Sequence, residues 1–351
     1  MIPEYKPWSK RVLQECRNLQ RNGKLPALDL GFTAKCSQCS CIYCDSKPEV
    51  SDIINSDETS IDNMLRVLDE CVTLGLKWVY VCGLGEPLED VKCWKILDFL
   101  SEKNVRISMF SNGQFIQSKE VAGELKKRDV NIILKMDTFD EAQFDKILNK
   151  PGAANKIYAA RDYLLSAGYA QSSAETDLAF SLIPTAWSLP SMPDIIEYCK
   201  KYKIFASIGE LEFAGEVLRN NVNDILKISK TEVDNLKRLA DEYYQGNYMR
   251  PVCPSIMTGL HIDNKGNVIV DRITGLNCKW FLLKEPDTHK IGDIYNSSIK
   301  ELFASVIEYR NNAFIKNKEI IDTYLNISYV FGGCGGNPPE IIKLVREDMG
   351  G

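Results

Sequence analysis

Apolar residues follow two alternating patterns from about residue 28 to about residue 210. Short apolar runs of strand length recur, and segments with apolar residues at helical spacing separate them. In one such segment five apolar residues share a helical face: Ile61, Met64, Leu65, Leu68 and Val72. Ser60 precedes them and is a suitable N-cap. The strand-like runs are, in order, ALDLGF, KWVYVC, VRISMF, NIILKM, LAFSLI and IFASIGEL.

Strands that alternate with helices predict a parallel sheet. Six such units predict an α/β fold, a partial (β/α)6 TIM barrel, over residues 28–215. A helical extension over residues 1–27 precedes it, and a helical linker over residues 216–250 contains the stretch SKTEVDNLKRLADEYYQG. After Pro251 the pattern changes to short pieces interrupted by turns, which predicts a smaller α+β domain over residues 251–351.

Composition narrows the class of protein. A chain of 351 residues can bury a sizeable core. The net charge of -5, with 43 basic and 48 acidic residues, argues against a nucleic-acid partner. The sequence contains no signal-peptide pattern and no apolar stretch long enough to span a bilayer, so we expect a cytoplasmic protein without a membrane partner. Its twelve cysteines favour reduced thiols and metal binding over disulfides.

The segment TAKCSQCSCIYCDSK holds the densest group of cysteines, four within nine residues: Cys36, Cys39, Cys41 and Cys44. Thiolates at this density are typical metal ligands. A zinc knuckle is one interpretation, but a single residue separates the two CxxC pairs, and the chain has only two histidines. An iron-sulfur cluster is therefore favoured. A four-iron cluster held by three cysteines keeps one iron open to substrate or cofactor.

A second motif, WVYVCGLGEPLED, ends the next strand. Gly83 and Gly85 allow the backbone to approach a ligand closely, Glu86 can accept hydrogen bonds from an ammonium group, and Pro87 stiffens the turn. By itself such a run is typical of a turn after a strand. Because both motifs follow strands of a predicted parallel barrel, we expect them at its carboxyl edge, where active sites of such barrels lie.

Together the two motifs resemble those of the radical S-adenosylmethionine (radical SAM) superfamily. Its usual pattern is CxxxCxxC after a strand, with an aromatic residue before the last cysteine, and LDLGFTAKC and CIYC fit both flanks. One residue is inserted here. The resemblance implies Cys36, Cys41 and Cys44 as the ligands of a 4Fe-4S cluster, and Tyr43 as the aromatic residue. Cys36, Cys39 and Cys44 are the competing set, and a fourth cysteine ligand would block cofactor binding.

Further residues are implied in binding S-adenosylmethionine. GLGEP resembles the segment that meets the cofactor's amino group, which implicates four residues: Gly83, Gly85, Glu86 and Pro87. MFSNGQ and ILKMDTFDE resemble segments after the third and fourth strands, which implicates four more: Ser111, Asn112, Lys135 and Asp137. The structural alternatives are an Asn-Gly turn and a strand-end ion pair.

The C-terminal third resembles the SPASM/Twitch extension of radical SAM enzymes, which binds an auxiliary cluster. Cys253 and Cys334 match cysteines of that pattern, whereas Asp271 stands where the pattern has a cysteine. Asp271, Cys278 or both could complete the ligands of one auxiliary iron-sulfur cluster. Buried core cysteines are the alternative. We interpret the five remaining cysteines as core: Cys16, Cys71, Cys82, Cys93 and Cys199.

The resemblance implies an enzyme that cleaves S-adenosylmethionine reductively and removes a hydrogen atom from its substrate, with a flavodoxin- or ferredoxin-type electron donor. A ribosomal peptide is the expected substrate, for oxidative modification, crosslinking or epimerisation. About 27 residues precede the first strand, too few for a leader-peptide-binding domain, so a peptide substrate would require a separate leader-peptide-binding protein or recognition by the rim of the barrel. The alternatives are a sugar or aminocyclitol dehydrogenase, a glycyl-radical activase and a zinc-binding interaction module. The sequence does not identify a catalytic acid or base.

Overall fold

A computed structural model describes most of the chain. The described residues are 3–37, 40–44, 58–83, 85–172, 174–209, 228–243, 253–276, 288–325, 342–344 and 346–347. Three cysteines that carry sequence predictions, Cys39, Cys278 and Cys334, lie outside these ranges.

The described strands are, in chain order, β1 (Glu4–Tyr5), β2 (Ala27–Leu30), β3 (Trp78–Val81), β4 (Arg106–Ser111), β5 (Val130–Lys135), β6 (Glu175–Thr176), β7 (Leu178–Leu182), β8 (Phe205–Ile208), β9 (Leu260–Ile262), β10 (Asn267–Asp271) and β11 (Thr288–Asp293). The described α-helices are α1 (Lys10–Arg21), α2 (Ile61–Thr73), α3 (Lys92–Glu102), α4 (Lys119–Lys127), α5 (Glu141–Leu148), α6 (Ala153–Ser166), α7 (Met192–Tyr202), α8 (Lys230–Tyr243), α9 (Pro254–Thr258), α10 (Ile299–Lys316) and α11 (Lys318–Leu325).

The six predicted strands lie side by side and in parallel, in the order β2-β3-β4-β5-β7-β8. Each is connected to the next through at least one helix, and this confirms the predicted α/β barrel fold. Among the described strands the sheet stays open, since β8 ends it on one side. The barrel is therefore partial, as predicted.

Helix α2 forms where the spacing of apolar residues predicted a helix. Ser60 accepts a hydrogen bond from the backbone N–H of Asn63 at 3.3 Å and so caps the helix, as predicted. Met64 and Leu68 lie on the face that packs against the sheet, and both are fully buried. The spacing of apolar residues thus sets which side of the helix faces the core.

The two faces of the sheet carry different cores. Leu28, Leu30 and Val79 face the surrounding helices, whereas Ala27 and Trp78 belong to a second cluster on the opposite side. We call that opposite side the inner face. Successive residues of a strand point to opposite faces, so the alternation along β2 and β3 produces both cores.

The N-terminal segment closes the amino edge of the inner face. Strand β1 pairs in parallel with β6, and the Tyr5 hydroxyl lies 2.9 Å from the Ser108 hydroxyl. The ring centroids of Tyr5 and Trp8 are 5.0 Å apart, and both rings pack against Phe205. Helix α1 lies within the range predicted as a helical extension. The residues before it, however, cover the amino edge of the inner face, and we call this covered end the floor of the barrel.

The C-terminal strands extend the same sheet. Strand β9 pairs in parallel with β2, and β10 and β11 follow in antiparallel order. The imidazole Nδ1 of His261 lies 3.0 Å from Oδ2 of Asp29 on the neighbouring strand, and both side chains are buried. The predicted domain boundaries remain a prediction. None of the described helices has the length and apolarity needed to cross a membrane.

Candidate active site at the carboxyl edge of the sheet

The loop after β2 carries the clustered cysteines, and we call residues 31–44 the cysteine loop. Its second half is attached to the end of helix α5. The backbone N–H of Ile42 donates to the carbonyl of Ile147 at 3.0 Å, and the Ser40 hydroxyl donates to the carbonyl of Leu148 at 3.2 Å. These bonds hold the part of the loop that contains Cys41 at the carboxyl edge of the sheet.

The first half of the loop is attached to the Gly-Leu-Gly-Glu-Pro turn after β3. The backbone N–H of Gly85 donates to the carbonyl of Thr33 at 3.1 Å, and the N–H of Glu86 donates to the carbonyl of Lys35 at 2.7 Å. A β-carbon at Gly83 would lie 2.9 Å from Cα of Gly31. The glycines therefore allow two protein backbones to pack closely, whereas the sequence suggested room for a ligand.

Two charged residues that sequence reasoning missed also hold this half. Glu58 accepts a hydrogen bond from the backbone N–H of Ala34 at 2.6 Å. The ammonium of Lys92 donates to Glu58 at 3.0 Å and to the carbonyl of Phe32 at 3.1 Å. The sequence carried no signal for this role, because a lysine in the first turn of an amphipathic helix is usually solvent-exposed.

Asp90 completes this ionic network. Its carboxylate lies 3.2 Å from the ammonium of Lys35 and 3.6 Å from that of Lys92. Burial alone would raise the pKa of Asp90, but the backbone N–H and the ammonium of Lys92, together with Lys35, lower it below the ordinary value. The carboxylate is therefore ionised at neutral pH, and it fixes the residue just before Cys36.

Glu86 is a buried carboxyl group beside the loop, only 3% exposed. One of its oxygens accepts from the Ser111 hydroxyl at 2.9 Å, and the other accepts from the backbone N–H of Asn112 at 2.7 Å. Burial raises the pKa of Glu86 to about 7 despite these hydrogen bonds. A cation placed beside this group would favour its ionised form. Pro87 follows and begins a short 3-10 helix.

Asn112 connects the two motifs. Its backbone N–H binds Glu86, and its side-chain amide donates to the sulfur of Cys36 at 3.8 Å. The side-chain oxygen accepts from the N–H of Gln114 at 3.0 Å and so fixes the orientation of the amide. The structure thus brings together Cys36, Glu86, Ser111 and Asn112, which the sequence had placed on three separate segments.

Tyr43, Lys135 and Asp137 form a second group, which we call the lysine triad. The Lys135 ammonium donates to the Tyr43 hydroxyl at 2.6 Å and lies 2.7 Å from the Asp137 carboxylate. The Tyr43 hydroxyl donates to the same carboxylate, and the Lys135 ammonium also lies 4.4 Å from the centroid of the Tyr43 ring. Asp137 is fully buried, and its other oxygen accepts from the N–H of Ile183 at 3.0 Å.

Electrostatics fix the proton positions in the triad. Burial alone would lower the pKa of Lys135, but Asp137, with smaller contributions from Cys41 and Cys44, raises it above its ordinary value. Burial and then Asp137 raise the pKa of Tyr43 well above the usual range. Lys135 is therefore an ammonium and Tyr43 a neutral phenol at neutral pH.

The donor set of the loop suits an iron-sulfur cluster. Cys36 receives an amide N–H, while Cys41 and Cys44 lie within the electrostatic influence of Lys135. Hydrogen bonds and positive charge beside thiolates stabilise an anionic metal site. Within the described residues, which leave out Cys39, no three Cys, His, Asp or Glu side chains are already arranged around one metal position.

The second predicted cysteine site is only partly described. Cys253 is buried in the core of the inner face, with its sulfur 3.1 Å from the Ser255 hydroxyl. One oxygen of Asp271 accepts from the backbone N–H and the hydroxyl of Thr274, each at 2.7 Å, and so stabilises a turn. Cys278 and Cys334 lie outside the described residues. The five cysteines predicted to be core are buried: Cys16, Cys71, Cys82, Cys93 and Cys199.

The inner face is accessible at its carboxyl edge, and buried apolar side chains fill it nearer to the amino edge. Lys135, Ser181 and Ser207 are register neighbours on three adjacent strands, and all three are partly exposed. Ile133 and Ala179, one step lower on the same face, are fully buried. A substrate pocket can therefore form only above this apolar layer, beside the cysteine loop and the lysine triad.

In the described residues a cysteine loop follows the first strand of an open parallel barrel, and a buried glutamate follows the second strand. Solved structures share this fold. SuiB from Streptococcus suis, bound to S-adenosylmethionine, superposes with a TM-score of 0.58 at 14% identity, over 84% of this chain and 69% of SuiB. SuiB bound to its precursor peptide SuiA gives a TM-score of 0.55 at 14% identity, over 84% of this chain and 68% of SuiB.

Sequence comparison finds a partial match. The GTP 3',8-cyclases of Clostridium perfringens strains SM101 and 13 are 33% identical to this chain over 137 residues, which are 37% of this chain. The match spans 40% of the length of those cyclases. No family model matches the chain. The likeness to SuiB is one of fold, the match to the cyclases is partial, and both agree with the resemblance to radical SAM enzymes predicted from the motifs.

Proposed function

We propose that this chain is a radical SAM enzyme whose cysteine loop holds a 4Fe-4S cluster through Cys36, Cys41 and Cys44. When bound, the cluster would supply the electron that cleaves S-adenosylmethionine to methionine and a deoxyadenosyl radical, which removes a hydrogen atom from the substrate. The observation that carries the proposal is the bridge made by Asn112. Asn112 contacts both the predicted cluster ligand Cys36 and the predicted ammonium acceptor Glu86.

Glu86 has the properties that binding of an amino group requires. Its carboxyl is buried and held by three donors, the Ser111 hydroxyl and the backbone N–H groups of Leu88 and Asn112, so it is oriented before the cofactor arrives. With a pKa of about 7, it becomes fully ionised when an ammonium group lies beside it. The turn containing Gly83, Gly85 and Pro87 then fixes this carboxylate against the cysteine loop.

The remaining predicted residues would enclose the cofactor. Ser111 and Asn112 border it on the side of Glu86, and the lysine triad borders it on the side of Cys41 and Cys44. The apolar layer below keeps water away from the radical, which must react with its substrate before it meets solvent. A flavodoxin- or ferredoxin-type protein would supply the electron.

We propose a ribosomal peptide as the substrate, with oxidative modification, crosslinking or epimerisation as the outcome. The fold shared with SuiB, which has been solved with its precursor peptide SuiA, supports this choice. A separate protein would then bind the leader peptide. GTP is the second candidate, because the chain is 33% identical to GTP 3',8-cyclases over 137 residues.

We also propose one auxiliary iron-sulfur cluster, with ligands from Cys253, Cys334, and Asp271 or Cys278. The burial of Cys253 near the floor of the inner face supports a position below the substrate pocket. There the cluster could accept an electron from the substrate. Asp271 would have to give up part of its role in the turn, which favours Cys278.

Anaerobic reconstitution tests the proposal. We expect protein-bound iron and sulfide, and deoxyadenosine formation when S-adenosylmethionine and a strong reductant are added. Cys44→Ala should abolish cofactor cleavage and lower the iron content. Cys16→Ala, a substitution in the buried core, should change neither. Mass spectrometry after incubation with a peptide encoded beside the gene, or with GTP, distinguishes the two substrates. Colourless protein with bound zinc and no sulfide would overturn the proposal.

A further inference from the structure

We propose that Lys135 and Asp137 set the reduction potential of the cluster in opposite directions: the ammonium of Lys135 raises it, and the carboxylate of Asp137 lowers it. This inference rests on the proposed function. Control of the reduction potential is a second role for these two residues, in addition to contact with S-adenosylmethionine.

Position is the first support. Tyr43 lies between Cys41 and Cys44 in a tight turn, in which the N–H of Cys44 donates to the carbonyl of Cys41 at 3.1 Å. The Lys135 ammonium is 2.6 Å from the Tyr43 hydroxyl and 4.4 Å from its ring centroid. A fixed positive charge therefore lies against the segment that carries two of the three predicted ligands.

Rigidity is the second support. The Lys135 ammonium has two partners within the triad, Tyr43 and Asp137, and its side chain is 19% exposed. Asp137 is held from its other side by the N–H of Ile183. Both charges thus keep their positions when the electron arrives, and little solvent screens them.

The sign follows from electrostatics. Reduction adds one negative charge to a cluster that three thiolates already make anionic. A nearby ammonium stabilises the reduced form, and a nearby carboxylate stabilises the oxidised form. A unit charge roughly 10 Å away changes such an equilibrium by roughly tenfold at the effective dielectric of a protein.

Potentiometric titration of the reconstituted holoprotein, followed by electron paramagnetic resonance without S-adenosylmethionine, tests the inference. Lys135→Met should lower the ratio of reduced to oxidised cluster about tenfold at a given applied potential, equivalent to about 59 mV for one electron. Asp137→Asn should raise that ratio. Lys135→Arg keeps the charge and should restore the wild-type value. Shifts of the same sign in Lys135→Met and Asp137→Asn, or no shift in either, would overturn the inference.

The chain contains a matched control. Lys126 forms an ion pair with Asp177 and lies 4.8 Å from the ring centroid of Tyr169, so, like Lys135, it has an aspartate and a tyrosine ring as its neighbours. Asp177 precedes β7, at the amino edge of the sheet. Lys126→Met should therefore leave the potential unchanged.

Failure of the inference and failure of the proposed function give different results. Wild-type protein without a reduced-cluster signal overturns the proposed function and, with it, this inference. A wild-type signal combined with unchanged potentials in all variants, but weaker binding of S-adenosylmethionine to Lys135→Met, overturns the inference alone. In that case Lys135 would be a cofactor contact without influence on the potential.

Discussion

The carbonyl oxygen of Lys35 lies so close to Gly85 that a β-carbon there would be only 2.3 Å away. The next neighbour is the backbone carbonyl carbon of Ala34 at 2.7 Å, so no flexible side chain can move aside. We expect Gly85→Ala to separate the turn from the cysteine loop. Iron retained after reconstitution should fall severalfold, and the free energy of unfolding should drop by about 1–3 kcal/mol.

Gly123 provides the control for this variant. It lies in helix α4, and a β-carbon there would meet nothing within 4 Å. Gly123→Ala should keep its iron and gain up to about 1 kcal/mol from helix propensity. Equal tolerance of the two substitutions in iron analysis and thermal unfolding would contradict the role assigned to Gly85.

Glu86 should make the stability of the metal-free protein depend on pH. Burial raises its pKa from 4.5 to about 7 in the folded state. Between these values the folded protein binds more protons than the unfolded chain, so the free energy of unfolding falls as pH rises. The full difference is about 3 kcal/mol.

Glu86→Gln should remove this dependence. Denaturant titrations between about pH 4 and about pH 8 would show a flatter profile for Glu86→Gln than for wild type. Glu102→Gln, an exposed substitution, should retain the wild-type profile. The same Glu86→Gln protein should bind S-adenosylmethionine more weakly, because a neutral amide replaces the charged partner of an ammonium group. Parallel profiles for wild type and Glu86→Gln would argue against a buried, titrating Glu86.

The choice of cluster ligands predicts a clear pattern among cysteine variants. Cys36→Ala, Cys41→Ala and Cys44→Ala should each abolish deoxyadenosine formation, because each removes one of three thiolates. Cys39→Ala should largely retain it. Loss of activity in Cys39→Ala together with full activity in Cys41→Ala would assign the competing set of ligands.

The auxiliary cluster predicts a different phenotype. Cys253→Ala and Cys334→Ala should lower the iron content by about half, since one of two four-iron clusters is lost. Reductive cleavage of S-adenosylmethionine should persist in both variants. Cys199→Ala, at a fully buried core position, is the control and should keep its iron. An unchanged iron content in Cys253→Ala would count against the second site.

His261 and Asp29 predict an effect on stability alone. Removing the imidazole in His261→Leu leaves the carboxyl of Asp29 buried without this polar partner. We expect a loss of about 1–3 kcal/mol in the free energy of unfolding. A double-mutant cycle with Asp29→Leu should show favourable coupling between the two side chains. Purely additive losses would show that the contact contributes nothing.

The sequence predicted those elements whose signals are local. The apolar runs located all six parallel barrel strands, and Ser60 with its helical pattern located α2, because both signals lie within a few residues. The two motifs likewise predicted that Cys36 and Glu86 share one edge. Hydrophobic periodicity carries this information wherever one face of an element is buried.

The sequence could not predict which distant segments of the chain pair with or contact each other. Nothing near Leu260 indicates that β9 adds to β2, since either strand could pair with many others. Lys92 resembles a surface lysine until Glu58 and the carbonyl of Phe32 are placed beside it. The close packing of Gly85 against Lys35 also depends on two loops that meet only in the folded chain.

The aromatic floor formed by Tyr5, Trp8 and Phe205 gives the barrel a blind end. Among the described residues that end offers no entrance to the inner face, so the proposed cofactor and substrate would approach from the carboxyl edge. Where spent cofactor and product leave by that same edge, the order of their departure contributes to the kinetics of turnover.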